Sequence, residues 1–452
     1  MKIKLGLLIT ILLLGTSLQV QAQAQPAEPP ARTLSPDEAV EIAIRNNLGL
    51  QAARVDTGTR RRASDLSWNQ FVPDINLLGT LNRQNQQLMT IPGISQWTAI
   101  GTIQTSINLS VAMIENTNRL RLDYQAGLVS YNRARQQLER DIRQAYNNML
   151  LFQENIEMLR ESFEATERAM NFAYANFLAG LAPELPFLQA QVAMENMRPA
   201  VEQVEYVFRL SKASFAMLLG LPYDTDFELV PLPLPANGTF TQFTPLDASQ
   251  MAARAAVARP EVQEIRQGIL QLESARTMQT RALFPTLSLS WAYSPMNTDP
   301  WNNSWLARDN WTDQQGAFSV TLGLRLHSLF PFSQDTQAIR NTDDQITTAS
   351  IGLAQMIQGT ELEIHNIMLS LDRIRRTADA QAQTLALAER VFLLTEQAFA
   401  AGLQDLLQVQ NAQLELRQAQ VSLLEQQFNY LNGLLDLEYL IGVPFGTLSS
   451  PE

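Results

Sequence analysis

Thr286-Leu287-Ser288-Leu289-Ser290-Trp291-Ala292-Tyr293 follows directly on Leu283-Phe284-Pro285 and alternates large apolar side chains with small or polar ones. Period two is the signature of a strand with one dry and one wet face. A second run reads as its hairpin partner, with Phe318, Val320, Leu322, Leu324 and Leu326 set against Ser319, Thr321, Gly323, Arg325 and His327. The pattern recurs upstream. Ile75, Leu77 and Leu81 alternate with Asn76, Thr80 and Asn82, and Ile103, Ile107 and Leu109 with Gln104, Ser106, Asn108 and Ser110. Each run is about 9 to 11 residues, the length of a tilted strand that crosses a bilayer. One strand alone would suit a soluble half-buried sheet equally well. The tryptophans decide: Trp68, Trp97, Trp291, Trp301, Trp305 and Trp311 are all six in the chain, and all lie in or beside the two hairpins. Such clustering belongs to a membrane–water boundary. The loops Arg83 to Trp97 and Ser294 to Gln315 are polar and are expected in solvent.

What flanks the hairpins is helical and written twice. Leu34 to Pro73 aligns with Leu246 to Pro285 at an offset of 212, each reading as a helix of about 35 residues stopped by proline. After each hairpin comes a heptad seam. The first runs Leu138, Ile142, Ala145, Met149, Phe152, Ile156, Leu159, Phe163, Thr166, Met170, Ala173, Phe177. The second runs Leu353, Ile357, Thr360, Ile364, Ile367, Leu371, Ile374, Ala378, Gln381, Leu385, Ala388, Phe392, Thr395, Phe399, in the same frame at an offset of 222. Each ends in a glycine reversal, Phe177-Leu178-Ala179-Gly180-Leu181 and Phe399-Ala400-Ala401-Gly402-Leu403. Return helices follow, the second with Leu407, Leu414, Val421, Phe428 and Leu435 at every seventh position. They leave through Leu219-Gly220-Leu221-Pro222 and Ile441-Gly442-Val443-Pro444. Pro199 predicts a kink or break in the first return helix, and Leu221 to Pro245, rich in proline, is expected on the outside. The organisation is therefore residues 1–24 as a leader, 25–245 as a first structural repeat and 246–452 as a second.

Composition narrows the chemistry. The 452 residues include no cysteine, which excludes disulfides, thiol catalysis and a lipid-modified N-terminal cysteine. Two histidines, His327 and His365, cannot build a multi-histidine metal site. Met194 and Met197, one helical turn apart, read as packing rather than a soft-metal site. A net charge of -12 argues against a nucleic-acid partner. No phosphate-binding loop, nucleophile–base pattern or cofactor motif occurs. Lys2, Lys4, the apolar stretch Leu5 to Leu14 and the small residues Ala22 and Ala24 read as a secretory signal cleaved after one or the other alanine. Its apolar run of about ten residues is short of the roughly 20 that a spanning helix needs.

Tracing the chain, a helix rises, a hairpin turns, a long helix descends, a glycine reverses it and a shorter helix returns; then the path repeats. Both hairpins lie at one end and both turns at the other. The first descending helix, Met113 to Ala179, spans 67 residues, roughly 100 Å at 1.5 Å per residue. Four strands cannot close a barrel, and lipid tolerates no open sheet edge. Closure therefore needs copies, with about 8 strands from two chains or 12 from three, and only the wider barrel leaves a channel behind its Ser, Thr, Asn and Gln lining. The competing reading is a pore-free periplasmic coiled-coil adaptor or structural protein, which accounts for the heptads but not for the strands or the tryptophans.

In the order of these features the chain resembles the TolC-like outer-membrane efflux proteins. The likeness rests on the leader, the duplicated helix entering a proline-led strand, the two Phe-x-x-Gly turns, and the Leu188-Gln189-Ala190-Gln191 and Leu407-Gln408-Val409-Gln410 segments after them. It implies a mainly α fold with a β-barrel membrane part: duplicated coiled-coil hairpins forming an α-barrel tunnel, and four strands per chain completing a 12-stranded barrel in a homotrimer. It also implies outer-membrane lipid, a periplasmic adaptor and an inner-membrane transporter as partners, passive export of small molecules or polypeptides, and no cofactor. By resemblance the periplasmic gate falls on Asp405 and Gln408, with Phe177 and Phe399 packing the constriction. The adaptor would meet the turn tips at Gly180, Leu181, Gly402 and Leu403. Gln408 stands where the family has a carboxylate and Phe399 lacks a hydroxyl, so the family's polar latch does not carry over.

Overall fold

A computed structural model describes residues 32–83, 96–234, 248–301, 303–312, 316–401 and 403–448. The leader, the heart of the first loop and the junction near 245 lie outside the described residues. In chain order the elements are β1 (Arg32–Leu34), α1 (Pro36–Asn46), α2 (Leu48–Asp65), β2 (Asp74–Arg83), β3 (Trp97–Leu109), α3 (Val111–Leu178), α4 (Glu184–Leu218) and β4 (Phe227–Leu229). There follow α5 (Ala248–Ala258), α6 (Pro260–Arg281), β5 (Thr286–Tyr293), β6 (Met296–Asn297), β7 (Gly316–Gly323), α7 (Gln334–Ala400) and α8 (Leu406–Ile441).

The two descending helices have 68 and 67 residues, so each runs about 100 Å. Their seams are the buried stripes: Leu138, Ile142, Met149, Ile156, Leu159, Thr166 and Ala173 on α3, and Thr360, Ile364, Leu371, Ile374 and Ala378 on α7. Near the sheet α2, α3, α6 and α7 lie side by side; toward the turns α4 flanks α3, and α8 runs between α3 and α7. The α8 stripe differs from the expected heptad. Phe428 and Leu435 are buried as expected, but Leu407 and Leu414 are exposed, and Ala412, Ala419, Leu423, Tyr430, Leu434 and Leu437 are buried beside the expected line. Contact with two helices instead of one widens and rotates the buried face. Polar side chains also tie α8 to α3: Gln144 Nε2 donates to Asp436 at 2.9 Å, and Asn147 Nδ2 to Asn432 at 2.8 Å.

The expected 35-residue helices before the sheet are each broken in two. Asn47 caps α2, its Oδ1 accepting from Leu50 N at 3.0 Å, while its Nδ2 donates to the Leu218 carbonyl at 2.9 Å. In the later copy Pro260 opens α6 and bars α5 from continuing. The exit glycines explain the breaks. A Cβ on Gly220 (φ 73°) would lie 2.3 Å from Asn46 O, and one on Gly442 (φ 67°) 2.8 Å from the Ala258 Cβ. Each return helix thus seats a left-handed glycine on a helix break, a closeness no other residue permits. Pro199 gives no break, and α4 is one helix from end to end. Packing along α3 holds the helix across the one missing hydrogen bond. Beyond it, β4 pairs in parallel with β1. The Tyr146 hydroxyl stands 2.8 Å from Leu34 O and 2.7 Å from Val230 O and locks this patch onto α3. Burial pushes that hydroxyl's pKa up to about 12.

The sheet runs β2-β3-β5-β7, antiparallel throughout. β6 continues the β5 register against β3, through Ile100↔Met296 and Ala99↔Asn297. β7 ends at Gly323, shorter than expected. Residues 326–329 wind into a 3-10 turn, stabilised by the Ser328 hydroxyl on Asp335 and by Ser333, which caps α7. Arg325 and His327 therefore lie past the strand and not among its lining residues. The second loop also departs from expectation: Asn297 and Pro300 are buried, because the loop folds back against the sheet.

Candidate functional site

The strands form the first part of the site. Register pairs Ile75↔Thr105, Leu77↔Ile103, Ile103↔Tyr293, Thr105↔Trp291, Ile107↔Leu289, Leu289↔Val320 and Trp291↔Phe318. Residues paired across an antiparallel ladder point the same way, so the apolar sets of all four long strands share one face. The other face carries Asn76, Thr80, Gln104, Ser106, Asn108, Ser288, Ser290, Ser319 and Thr321. Its hydroxyls bond across strands, Ser288 Oγ to Asn108 Oδ1 at 2.6 Å and Ser290 with Ser319 at 2.7 Å. Among the described residues nothing covers the apolar face at its edges, where Ile75 is 77% and Leu77 80% exposed. Such a surface needs lipid outside, and the polar face can border water. Among the described residues the outer strands β2 and β7 have no partner on one side.

The helix-turn tips form the second part. α3 ends in a Schellman turn: Gly180 takes φ 69°, Leu181 N donates to Asn176 O at 2.9 Å, and Gly180 N to Phe177 O at 3.0 Å. At the other tip Leu403 N donates to Ala398 O at 2.9 Å, the same outer bond; Gly402 lies outside the described residues. Leu181 and Leu403 point outward and are both exposed. Asp405 is the N-cap of α8, its Oδ1 accepting from Gln408 N at 3.0 Å. The spacing Asp-x-x-Gln is a capping signal that sequence reasoning could have used. Phe177 and Phe399 are not in ring contact with each other. Phe177 stacks on Phe187 at 6.3 Å, while Phe399 meets Phe172 edge-on at 6.3 Å. Phe187 and Phe399 both pack on the buried pair Ala173 and Ala190, which joins the tip of α7 to the first hairpin. Phe172 and Phe187 were not foreseen, since Phe172 lies off the seam and Phe187 follows a Pro-Glu-Leu-Pro segment. Between the hairpins a groove of about 450 Å³ is lined by Leu185, Leu188, Val192 and Leu407 with Gln189 and Gln410. Met197 Sδ accepts from Thr166 Oγ1 at 3.3 Å and Met194 is buried, so both serve packing.

A sheet dry on one face and wet on the other, mounted on a layer of helices about 100 Å long, defines the membrane-embedded subunit of a channel. The chain belongs to the outer membrane efflux protein family, whose profile matches residues 39–221 and 252–443. It is similar to nodulation protein T of Rhizobium leguminosarum bv. trifolii, with 21% identity over 407 residues, 85% of this chain and 80% of that protein. Its fold is similar to that of CusC, with a TM-score of 0.72 at 16% identity over 94% of this chain and 96% of that one. The Campylobacter jejuni outer membrane channel CmeC gives 0.71 at 15% identity over 90% and 85%. The protein is an outer-membrane efflux channel extending into the periplasm, not an enzyme and not a pore-free adaptor.

Proposed function

We propose that three copies close the sheet into a 12-stranded barrel and the helices into a tunnel, forming the exit duct of a tripartite efflux or type I secretion system. The duct is a passive conduit driven by an inner-membrane transporter through a periplasmic adaptor. The observation that supports this most is the open four-strand sheet: its apolar face and its two free edges, β2 and β7, are satisfied together only when copies join edge to edge in lipid. Residues 1–24 act as the leader, and 25–245 and 246–452 as the two repeats, each supplying one hairpin to the barrel and one coiled coil to the tunnel. The turns around Gly180, Leu181, Gly402 and Leu403 meet the adaptor, their exposed leucines supplying apolar contact. A constriction lies at the same end, where Asp405 and Gln408 of each copy converge and the Phe177 and Phe399 clusters set the packing.

The chain has no cysteine, so engineered pairs report without background. With Leu78→Cys on β2 fixed and cysteines scanned along β7, some pair should give a covalent ladder ending at three copies. Exclusive dimers, or no intermolecular product at any β7 position, would refute edge-to-edge closure in threes.

A further inference from the structure

We infer that the second hairpin loop is a lipid anchor: Trp301, Trp305 and Leu306 enter the outer leaflet beside the barrel instead of reaching over its mouth. Three contacts fix the loop's side of the sheet. Ala99 and Asn297 pair with each other on the apolar face, and they are 2% and 0% exposed although Leu81, paired with Ala99 from β2, is 44% exposed. Gly101 lies on that face, paired with Gly79, and a Cβ on Gly101 would stand 3.9 Å from the Trp311 ring. Trp97, also of that face, meets Trp301 edge-on at 5.7 Å. The loop therefore lies against the surface that faces lipid.

The loop's tip is built rigidly. Trp311 Nε1 donates to Trp305 O at 3.1 Å, Asn310 Nδ2 to Ser304 O at 2.9 Å, and Thr312 N to Met296 O at 3.0 Å. This frame holds Leu306 almost wholly outside the protein, 97% exposed, with Trp301 and Trp305 more than half or half open beside it. A pinned turn that displays leucine between tryptophans is unfavourable in water and suited to the boundary of a bilayer, where indoles sit at headgroup depth and leucine below them. The occupant is the outer leaflet because the loop that carries the patch packs on the lipid-facing surface of β3. The inference rests on the outer-membrane location and not on the duct reading.

Leu306→Cys supplies the only thiol in the full-length protein. It can be labelled with a nitrobenzoxadiazole dye and the assembled protein reconstituted in phosphatidylethanolamine–phosphatidylglycerol vesicles. Val320→Cys on the apolar face and Ser319→Cys on the polar face are the references. The Leu306 label should emit to the blue of the Ser319 label. It should be quenched by lipids bearing a nitroxide near the headgroup, and shielded from iodide. Water-like emission with full iodide quenching at 306, with Val320 in lipid, would overturn the anchor alone; Val320 in water would sink the sheet's embedding itself. Should labelled Leu306→Cys not assemble, Trp305→Cys reads the same depth with the same two outcomes.

Discussion

Asp405 has a structural reason to be acidic before any gate is invoked, because its carboxylate caps α8 through Gln408 N. The two roles separate by substitution. Asp405→Ala removes cap and charge and is expected to lower tip stability by about 0.5–2 kcal/mol. Asp405→Asn keeps the cap and removes only the charge. If the carboxylates converge on the pore, Asp405→Asn should weaken cation block in single-channel recordings with thermal stability unchanged. Unaltered block would leave Asp405 a cap and nothing more. Glu261 poses a pH question. Burial alone would raise its carboxyl, but the Tyr439 hydroxyl at 2.7 Å and Arg259 at 3.1 Å hold it below the usual range. A folded pKa below the unfolded one means stabilisation that is full above the ordinary carboxylate value of about 4.3 and lost as pH falls through the folded value. Glu438 has the opposite sign: burial pushes it up despite the Leu448 and Gly446 amides, so its ionisation costs stability above the unfolded value. Glu261→Gln should therefore flatten the acid limb of melting temperature against pH; an acid limb as steep as in the parent protein would show that Glu261 does not set it.

At the scale of elements, periodicity carried the long helices because each seam is a local repeat that neighbouring helices read directly. Ile142, Met149, Ile364 and Leu371 are buried where the heptad puts them. Strand parity was legible for the same reason. Strand register was not, since pairing depends on partners far away in sequence, and neither was the return of the second loop, which rests on contacts such as Trp311 over Gly101. The breaks at Asn47 and Pro260 were hidden behind an uninterrupted apolar pattern, although the cap residue and the proline themselves were visible. The exit motifs stand out in the sequence as a pair, but their cause does not: only the fold shows Gly220 against Asn46 and Gly442 against Ala258. Gly442→Ala meets both a left-handed backbone and that contact, so it should destabilise by more than 1 kcal/mol, on the order of the cost of such strain. Gly352→Ala, with open space at its Cβ in mid-helix, should be neutral or stabilising by up to about 1 kcal/mol. Equal denaturation midpoints for the two would contradict the close approach. Ile364→Ala, emptying a fully buried seam site, should cost about 2–5 kcal/mol in the same titration.

At the scale of the molecule, one chain is an open sheet above a layer of helices, and among the described residues the sheet stops at two unpaired edges, β2 and β7. The edge strands present unpaired backbone at bilayer depth, a cost that closure removes. The apolar side chains on the sheet's outer surface and the Ser, Thr, Asn and Gln on its inner surface make sense only around water enclosed by lipid. The tips, by contrast, combine exposed leucines with an aromatic cluster that ties α7 to the first hairpin. If the proposed constriction lies there, weakening that tie should loosen it: Phe399→Ala is expected to raise the fraction of time in large-conductance openings, and an unchanged distribution would place the cluster outside any gate.

Conductance of the purified protein in a planar bilayer is the most direct measurement. Material with the mass of three chains should insert and give discrete, repeatable current steps. Protein that remains monomeric in detergent and leaves the bilayer electrically silent would contradict closure into a channel.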